Sequence, residues 1–279
     1  MYNEIEEVAG MKLRVVEYDN LYEVEKTRRE QKYYAGKHAK DTKWAGGTVP
    51  EFYKGCLSGD LWYAEQAEKF VNEFSNIAIK DYEATLEWND QTGELDYEAA
   101  TAGEEQYMYG PTIEQTDTAP VSIYVDAWTS AMIPTSDMRR RGIAVLALVQ
   151  ALSVYRPVNA YVVAGCRHMP TKSDVLQVCR VPTNPMDLPR AAFMLGSPMF
   201  FRQGLLPLVY EHAMTRAQCG VPLLQNGKWQ GAEMGEWLAE KEGVHEALLL
   251  PYMMGREHQW GSDDAVLEWV KQQMKRYLE

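Results

Sequence analysis

Cysteine is scarce in this sequence, which argues against a disulfide framework. The 279 residues include four cysteines, Cys56, Cys166, Cys179 and Cys219, at spacings that match no paired motif. A chain of this size with so few cysteines is typical of a reducing compartment. Long apolar runs are also missing, since none reaches the roughly 20 residues that span a membrane. The acidic N-terminus lacks the basic-then-apolar order of a signal peptide. We therefore predict a cytoplasmic protein without a membrane segment.

Common catalytic motifs are absent as well. The sequence has no Walker A loop, no GxGxxG after a strand, and no HExxH, GxSxG or CxxC pattern. Cys166 and His168 with Cys179 could hold a metal or form a cysteine–histidine nucleophile, with buried core cysteines as the alternative. We predict a protein that is not an enzyme and needs no cofactor. A metal- or cysteine-dependent enzyme stays open as a third possibility.

Basic residues are missing from 81–117, a block that carries eleven acidic residues. This block accounts for nearly all of the net charge of −12. By contrast, 26–80 has ten basic against seven acidic residues, and 118–216 has ten against five. The acidic total therefore does not exclude an anionic partner, because its distribution leaves two locally basic regions. The acidic block itself could bind a basic partner or remain solvated.

The chain is organised around a strand–helix–strand unit at 120–165. A β-rich run at 121–125 ends in Asp126, and a polar loop follows it. The nearly continuous apolar stretch at 142–152 predicts a buried helix, and 158–164 predicts a second strand. Two strands joined by a helix in this way are expected to lie parallel in one sheet.

Strands and helices continue to alternate after this unit. The pattern predicts a strand over 175–181, a helix over 188–195 and a final helix capped by Ser262. We predict an α/β fold with a mostly parallel sheet flanked by helices, of von Willebrand A-like or Rossmann-like type. An N-terminal α+β region at 1–117, ending in the acidic block, is predicted to precede an α/β core domain at 118–279.

Ligands of such sheets bind at the carboxyl ends of the strands. We expect Asp126, Cys166–His168 and Val181–Asn184 to lie together at that edge. They offer a candidate binding site.

One pattern at this edge resembles a von Willebrand A-type metal site. Asp126 and Ser130 match its Asp-x-Ser-x-Ser loop, and Thr183 and Asp187 could add oxygen ligands for Mg²⁺. Trp128 occupies the position of the first serine and supplies no oxygen. We therefore favour a domain without a metal, and the metal site stays an alternative.

Three consecutive arginines, Arg139, Arg140 and Arg141, open the predicted central helix. Cations in a first helical turn oppose the helix dipole at about 0.3–1 kcal/mol each. An unfavourable placement of this kind indicates an anionic partner, such as a phosphate backbone or an acidic protein surface. The alternative is a solvated triplet in which one arginine pairs with Asp126 or Asp137.

A second basic stretch spans Lys26 to Trp44 and interleaves lysines and arginines with aromatic rings. Charge for a backbone combined with planes for stacking bases is typical of single-strand binding. The alternative is an amphipathic helix whose rings lie in the core. The residues that would make the contacts are Arg28, Arg29, Lys32, Tyr33, Lys37, Lys40, Lys43 and Trp44.

The order of several short patterns resembles an uncharacterised family of tailed-bacteriophage proteins. In that family an Arg-Gly pair, here Arg141–Gly142, opens a buried alanine-rich helix. A Pro-x-Asp-Leu turn, here Pro185–Leu188, then precedes an Ala-Phe…Pro…Arg helix that matches 192–202. The resemblance spans about 44–275 and includes Trp44–Gly47 and Gly59–Asp60. It implies a phage origin and a degenerate von Willebrand A-like or Rossmann-like core, and it assigns no catalytic residues.

These patterns together predict a non-enzymatic bacteriophage accessory protein. We expect its partner to be single-stranded nucleic acid, or a phage or host nucleic-acid enzyme, in transcription or replication in the cytoplasm of an infected bacterium. The alternative is a von Willebrand A-like protein-interaction module, or an inhibitor of a host defence enzyme that acts through its acidic surface.

Overall fold

The computed structural model confirms the predicted fold class. The residues that the structure describes are 2–8, 11–31, 41–69, 86–89, 94–104, 108–111, 120–130, 132–153, 156–168, 173–183, 185–212, 221–222, 231–244, 246–253 and 258–278. They form an α/β protein in which helices flank a mixed, mostly parallel sheet. Among these residues, no helix is long and apolar enough to cross a membrane.

Two sheets contain the described strands. Their bounds are β1 (Tyr2–Val8), β2 (Met11–Tyr18), β3 (Leu86–Asn89), β4 (Glu94–Leu95), β5 (Met108–Pro111), β6 (Val121–Asp126), β7 (Val158–His168), β8 (Ser173–Val181), β9 (Val221–Pro222) and β10 (Glu246–Leu250). The main sheet has the order β1-β2-β8-β7-β6-β10, and β9 also pairs with β7. The small sheet has the order β3-β5-β4. Along the main path β2–β8, β7–β6 and β6–β10 are parallel, whereas β1–β2 and β8–β7 are antiparallel.

The hairpin of β7 and β8 overturns one expectation about the sheet edge. Ala160, near the start of β7, lies opposite Val181 at the end of β8. Thr183 accordingly donates a hydrogen bond to the carbonyl of Val158, at 3.0 Å. The residues after β8 are therefore at the opposite end of the sheet from Asp126, and the predicted common edge is wrong for them. The link between β7 and β8 is too short for the crossover that parallel strands require.

The N-terminal strands belong to the same sheet as the core. β2 runs parallel to β8, with Leu13 opposite Asp174 and Tyr18 opposite Cys179. The domain boundary predicted at residue 117 therefore does not coincide with a division of the main sheet. Residues on both sides of that boundary share one apolar core.

The helices have the following described bounds: α1 (Leu21–Glu30), α2 (Thr42–Ala45), α3 (Val49–Ser58), α4 (61–69), α5 (Tyr97–Ala102), α6 (Thr135–Ser153), α7 (Leu188–Gly196), a π-helix (Phe200–Leu205), α8 (Leu206–His212), α9 (Gly231–Glu242), a 3₁₀ turn (His258–Trp260) and α10 (Asp263–Leu278). α9 follows a glycine-bearing stretch and begins at Gly231. Ser262 caps α10 as predicted, since its hydroxyl accepts from the nitrogen of Ala265 at 3.2 Å.

The helices divide between the two faces of the main sheet. Side chains of α1, α3, α4, α6, α7 and α10 share one apolar cluster with Val125 and Val162 of the sheet. On the opposite face, Leu238 of α9 packs with Tyr124 and Val163. We call the part of the first face that carries α1 to α4, α6 and α7 the helical side; α2 belongs to it because Arg202 of the π-helix donates to the carbonyl of Trp44. Both basic regions of the sequence contribute to it.

Side-chain caps begin the short helices of the helical side. Asn20 accepts from the nitrogen of Glu23 at the start of α1, and Asp41 accepts from that of Trp44 at the start of α2. Thr48 and Glu51 form a reciprocal capping box on α3. Asp60 accepts from the nitrogen of Tyr63 at the start of α4. These caps position the rings and cations described next.

Candidate nucleic-acid interface

The arginine triplet lies beyond the first turn of α6. The helix begins at Thr135, and Asp137 is the acidic residue of its first turn. The predicted conflict between the triplet and the helix dipole is therefore wrong, because the dipole acts mainly on the terminal turn. Successive residues of an α-helix point about 100° apart, since 3.6 residues make one turn. The three guanidinium groups consequently leave the helix in different directions.

Arg141 points into the core. The residue is 3% exposed, and its two Nη atoms donate to the carbonyls of Asp126 at 2.9 Å and Pro251 at 3.1 Å. These carbonyls stand at the ends of the neighbouring parallel strands β6 and β10. Arg141 thus holds two strand ends together, and its predicted contact with a partner is wrong.

Arg139 and Arg140 remain at the surface of the helical side. The Arg140 side chain is 35% exposed and lies 3.5 Å from a carboxylate oxygen of Asp137 and 3.3 Å from one of Asp263. The Arg139 guanidinium lies 5.8 Å from the ring centre of Trp62 and 5.2 Å from that of Tyr63. Arg140 therefore forms the predicted pair with Asp137, whereas Arg139 forms cation–π contacts.

The two arginines of α1 also differ from each other. Arg28 is buried, and its Nε donates to the carbonyl of Gln203 at 2.9 Å, so its predicted contact with a partner is wrong. The Arg29 side chain is 53% exposed. It pairs with Glu25 and stacks at 4.0 Å on the ring of Tyr53. Arg29 therefore presents both charge and a planar group at the surface.

The rest of the N-terminal basic stretch is described only near its end. Lys43 is exposed on α2, and the neighbouring Trp44 is half-buried. The predicted contacts Lys32, Tyr33, Lys37 and Lys40 lie outside the described residues. Of the eleven predicted contact residues, Arg29, Lys43, Trp44, Arg139 and Arg140 thus keep described surface positions.

A buried guanidinium that the sequence did not single out holds Trp44. Arg202 of the π-helix is 2% exposed and donates to the carbonyl of Trp44 at 2.6 Å. Its guanidinium carbon lies 4.7 Å from the ring centre of Trp44. The available signal was a charged residue in the middle of the apolar run at 199–208. Charged residues are rarely buried unless a specific partner requires them.

Three exposed apolar side chains of α3 and α4 were also missed. Leu57, Leu61 and Trp62 are 57%, 66% and 55% exposed. Tyr63, Ala64 and Ala67 form the buried face of α4, and Leu61 lies outside it. Leu61 and Trp62 are the first residues after the Asp60 cap. Trp62 therefore offers an exposed ring beside a cation.

The four oxygen-bearing residues of the predicted metal site do not assemble. Asp126 ends β6, and Ser130 follows it in the next loop. Thr183 follows β8 at the opposite end of the sheet, and Asp187 caps α7 and pairs with Arg190 at 2.6 Å. Within the described ranges no group of three or more His, Cys, Asp or Glu side chains is arranged to hold a metal. The antiparallel return of β8 is the physical reason.

Asp126 is buried at the carboxyl end of β6. The residue is 2% exposed, and one carboxyl oxygen accepts from the nitrogen of Trp128 at 2.9 Å. Burial raises the pKa of this carboxyl to about 7, while the Trp128 hydrogen bond and the charge of Arg141 act in the opposite direction. Beside it, Arg141, Met138, Ser197 and Phe201 line a small cavity whose size suits about one water molecule.

The described cysteines are not activated. Cys56, Cys166 and Cys179 are free and buried. Burial raises the pKa of Cys166 to about 12 and raises the pKa of Cys179 well above its ordinary value. A thiol of this kind is protonated at neutral pH and is a poor nucleophile or metal ligand. Cys219 and the side chain of His168 lie outside the described part of the chain.

The fold and the surface define an α/β protein whose helical side presents cations next to aromatic rings. The chain belongs to the family described as Domain of unknown function (DUF7192), whose model matches residues 3–278. No curated protein matches the chain, and no solved structure matches it.

Proposed function

We propose that the chain is a non-enzymatic accessory protein that binds single-stranded nucleic acid through its helical side. The proposal includes a bacteriophage origin and action in the cytoplasm of an infected bacterium, and these two points rest on the resemblance of sequence patterns alone. A nucleic-acid enzyme that carries such a strand is the protein partner that fits the same role.

The observation that carries the proposal is the pair formed by Trp62 and Arg139. The Trp62 ring is 55% exposed, and the Arg139 guanidinium lies 5.8 Å from its centre. An exposed ring provides a plane on which any base can stack, and a neighbouring cation attracts the phosphate that follows the base. Arg29 stacked on the ring of Tyr53 is a second pair of a cation and an aromatic ring on the helical side.

The charge distribution supports the same surface. The described cations Arg29, Lys43, Arg139 and Arg140 stand on the helical side, whereas the acidic excess of the sequence lies in 81–117. Contacts with a phosphate backbone release counterions, so the affinity is expected to fall steeply as salt increases. Carboxylates lie near both arginines, Asp137 and Asp263 beside Arg140 and Asp60 near Arg139, and we therefore expect the two to make comparable contributions.

Removing Arg139 and Arg140 together is expected to weaken binding and to reduce its salt dependence. In the R139Q/R140Q variant, the slope of log affinity against log salt should fall by about one for each lost phosphate contact. Fluorescence anisotropy with a labelled 20-nucleotide single strand measures both quantities. K275Q, which removes a cation from the last turn of α10, is the matched control and should change neither. Undetectable binding by the natural protein at low salt, or an unchanged slope in the double variant, contradicts the proposal.

A protein-interaction module is the second candidate, and the exposed apolar surface of α3 and α4 favours it. Leu57, Leu61 and Trp62 follow closely in the chain and expose more than half of their surface, and clusters of exposed apolar side chains commonly mark protein interfaces. Inhibition of a host enzyme through the acidic residues at 81–117 belongs to the same class.

Leu57→Ser with Leu61→Ser separates the two candidates. Both positions are exposed, so the free energy of unfolding should change by less than about 0.5 kcal/mol. If a protein partner uses this surface, the double variant should lose a nuclease-resistant complex that the natural protein forms in infected cells, and single-strand affinity should stay within about twofold. Retention of the complex by the double variant argues against this candidate.

A further inference from the structure

The π-helix (Phe200–Leu205) connects the three segments that carry the proposed contacts. We propose that Arg202 and Gln203 are positioning residues that hold α1, α2 and the loop before α6 in one binding geometry. The inference rests on the proposed function for its purpose, but its structural content can be tested separately. Neither residue is accessible to a partner, since both are at most 2% exposed.

The first connection runs to α2. Arg202 donates to the carbonyl of Trp44 at 2.6 Å and stacks on its ring, and Gln203 donates through Nε2 to the carbonyl of Gly47 at 3.0 Å. Between these points Gly46 has a φ of 81°, a conformation that favours glycine, and ends α2. Two side chains of the π-helix thus hold both ends of the 44–47 segment.

The second connection runs to the loop that leads into α6. The other terminal nitrogen of Arg202 donates to the carbonyl of Ile133 at 3.3 Å. Ile133 is buried two residues before α6, the helix that presents Arg139 and Arg140. One planar guanidinium therefore joins the Trp44 segment to the start of the arginine-bearing helix. A lysine ammonium has the charge but lacks the planar fork that makes both bonds while stacking on a ring.

The third connection runs to α1. Arg28 donates to the carbonyl of Gln203 at 2.9 Å, and Gln31 donates to the carbonyl of Pro207, which follows the π-helix, at 2.5 Å. These contacts fix the end of α1 that carries Arg29. π-Helices are rare and occur frequently at functional sites, where the irregular backbone directs side chains to unusual positions.

Stability alone does not explain a guanidinium at this place. Burial lowers the pKa of Arg202 to about 10, and no carboxylate among the described residues forms an ion pair with it. A buried cation without a counter-ion is unfavourable, and an apolar side chain of similar volume commonly gives a more stable core. We infer that Arg202 serves to fix geometry, because its guanidinium holds the Trp44 segment and the loop before α6 at a set distance from each other.

Arg202→Lys is expected to lower single-strand affinity about tenfold, because the hydrogen bonds that fix the platform are lost. The slope of log affinity against log salt should stay unchanged, since Arg202 itself neutralises no phosphate. This pattern differs from that of R139Q/R140Q, in which the slope falls. Leu238→Ala, on the opposite face of the sheet, is the control for lost stability and should leave the affinity unchanged. A reduced slope in R202K, or an equal loss of affinity in L238A, overturns the inference.

Hydrogen–deuterium exchange tests the positioning without any ligand. In R202K the amides of 43–47 and of 132–136 should both exchange at least about tenfold faster, because local opening loses the shared hydrogen bonds. Amides of β6 and β7 should keep their rates. Faster exchange in only one of the two segments, or a uniform increase over the sheet, overturns the positioning role. If exchange changes as expected but the natural protein binds no single strand, the positioning stands and the proposed function fails.

Discussion

Asp126→Asn is expected to stabilise the protein at pH 8 and to have little effect at pH 4. Burial raises the pKa of Asp126 from an ordinary value of 3.8 to about 7. In the unfolded chain the carboxyl ionises near its ordinary value, whereas in the folded protein it keeps its proton up to about pH 7. The folded state therefore binds more protons between these values, and the stability that Asp126 contributes falls as the pH rises through this window.

The pKa difference corresponds to roughly 4 kcal/mol in the free energy of unfolding, fully present below pH 3.8 and lost by pH 7. Asparagine does not ionise, and its oxygen can still accept from the nitrogen of Trp128. The difference in unfolding free energy between D126N and the natural protein should therefore grow from near zero at pH 4 to several kcal/mol at pH 8.

Chemical denaturation at four pH values between 4 and 8 measures this difference. Asp264→Asn, at an exposed position in the first turn of α10, makes the same chemical change outside the core and is the matched control. Other groups that titrate in the range cancel, because they are common to both proteins. A D126N difference that does not change with pH contradicts the burial of a protonated carboxyl.

The sequence was sufficient for the elements that depend on local patterning. The strand that ends at Asp126, the buried helix and the parallel strand after it follow from apolar spacing, and the structure confirms them as β6, α6 and β7. The Asp60 cap of α4 follows from the preference of aspartate for helix starts. Where a residue's neighbours along the chain decide its structure, the sequence predicts it.

The direction of β8 is also constrained by the sequence, through the length of the connection between β7 and β8. Only residues 169–172 separate β7 from β8, and parallel strands need a connection of a dozen residues or more. The interval thus favours a hairpin, which moves Thr183 away from Asp126. The divergence of Arg139, Arg140 and Arg141 also follows from helix geometry alone, because adjacent positions of a helix do not share a face.

The burial of individual arginines had no local signal that decides it. Arg28 and Arg141 lie in sequences as charged as that of Arg29, yet both are buried by contacts with carbonyls more than ten residues away. Such contacts depend on how α1, α6 and the strand ends meet in space. The sequence therefore predicts which types of residue form the candidate interface. It does not predict which of the arginines reach the surface.

The crossing of α6 and α7 gives the second large expected effect. Gly142 of α6 faces the backbone of α7: a Cβ atom at this position would lie 2.6 Å from the nitrogen of Gly196, and closer still to the carbonyl oxygen of Leu195. Backbone atoms of a helix cannot move aside as a flexible side chain can. Gly142→Ala should therefore push the helices apart and lower the free energy of unfolding by about 3 kcal/mol, the upper end of the usual cost of overpacking.

Gly196→Ala, on the other side of the same contact, is the matched variant with the opposite expectation. Its Cβ would meet Tyr63 Cδ1 at 3.6 Å, which is ordinary van der Waals contact. The added methyl group also reduces the conformational freedom of the unfolded chain, so the free energy of unfolding should stay level or rise by up to about 1 kcal/mol. Urea denaturation of G142A, G196A and the natural protein measures the two changes in the free energy of unfolding. Equal losses of stability in the two variants would mean that Gly142 does not lie against the backbone of α7.

Because α6 carries Arg139 and Arg140 while α7 leads to the π-helix, a displaced crossing in G142A should also weaken single-strand binding, whereas G196A should retain it.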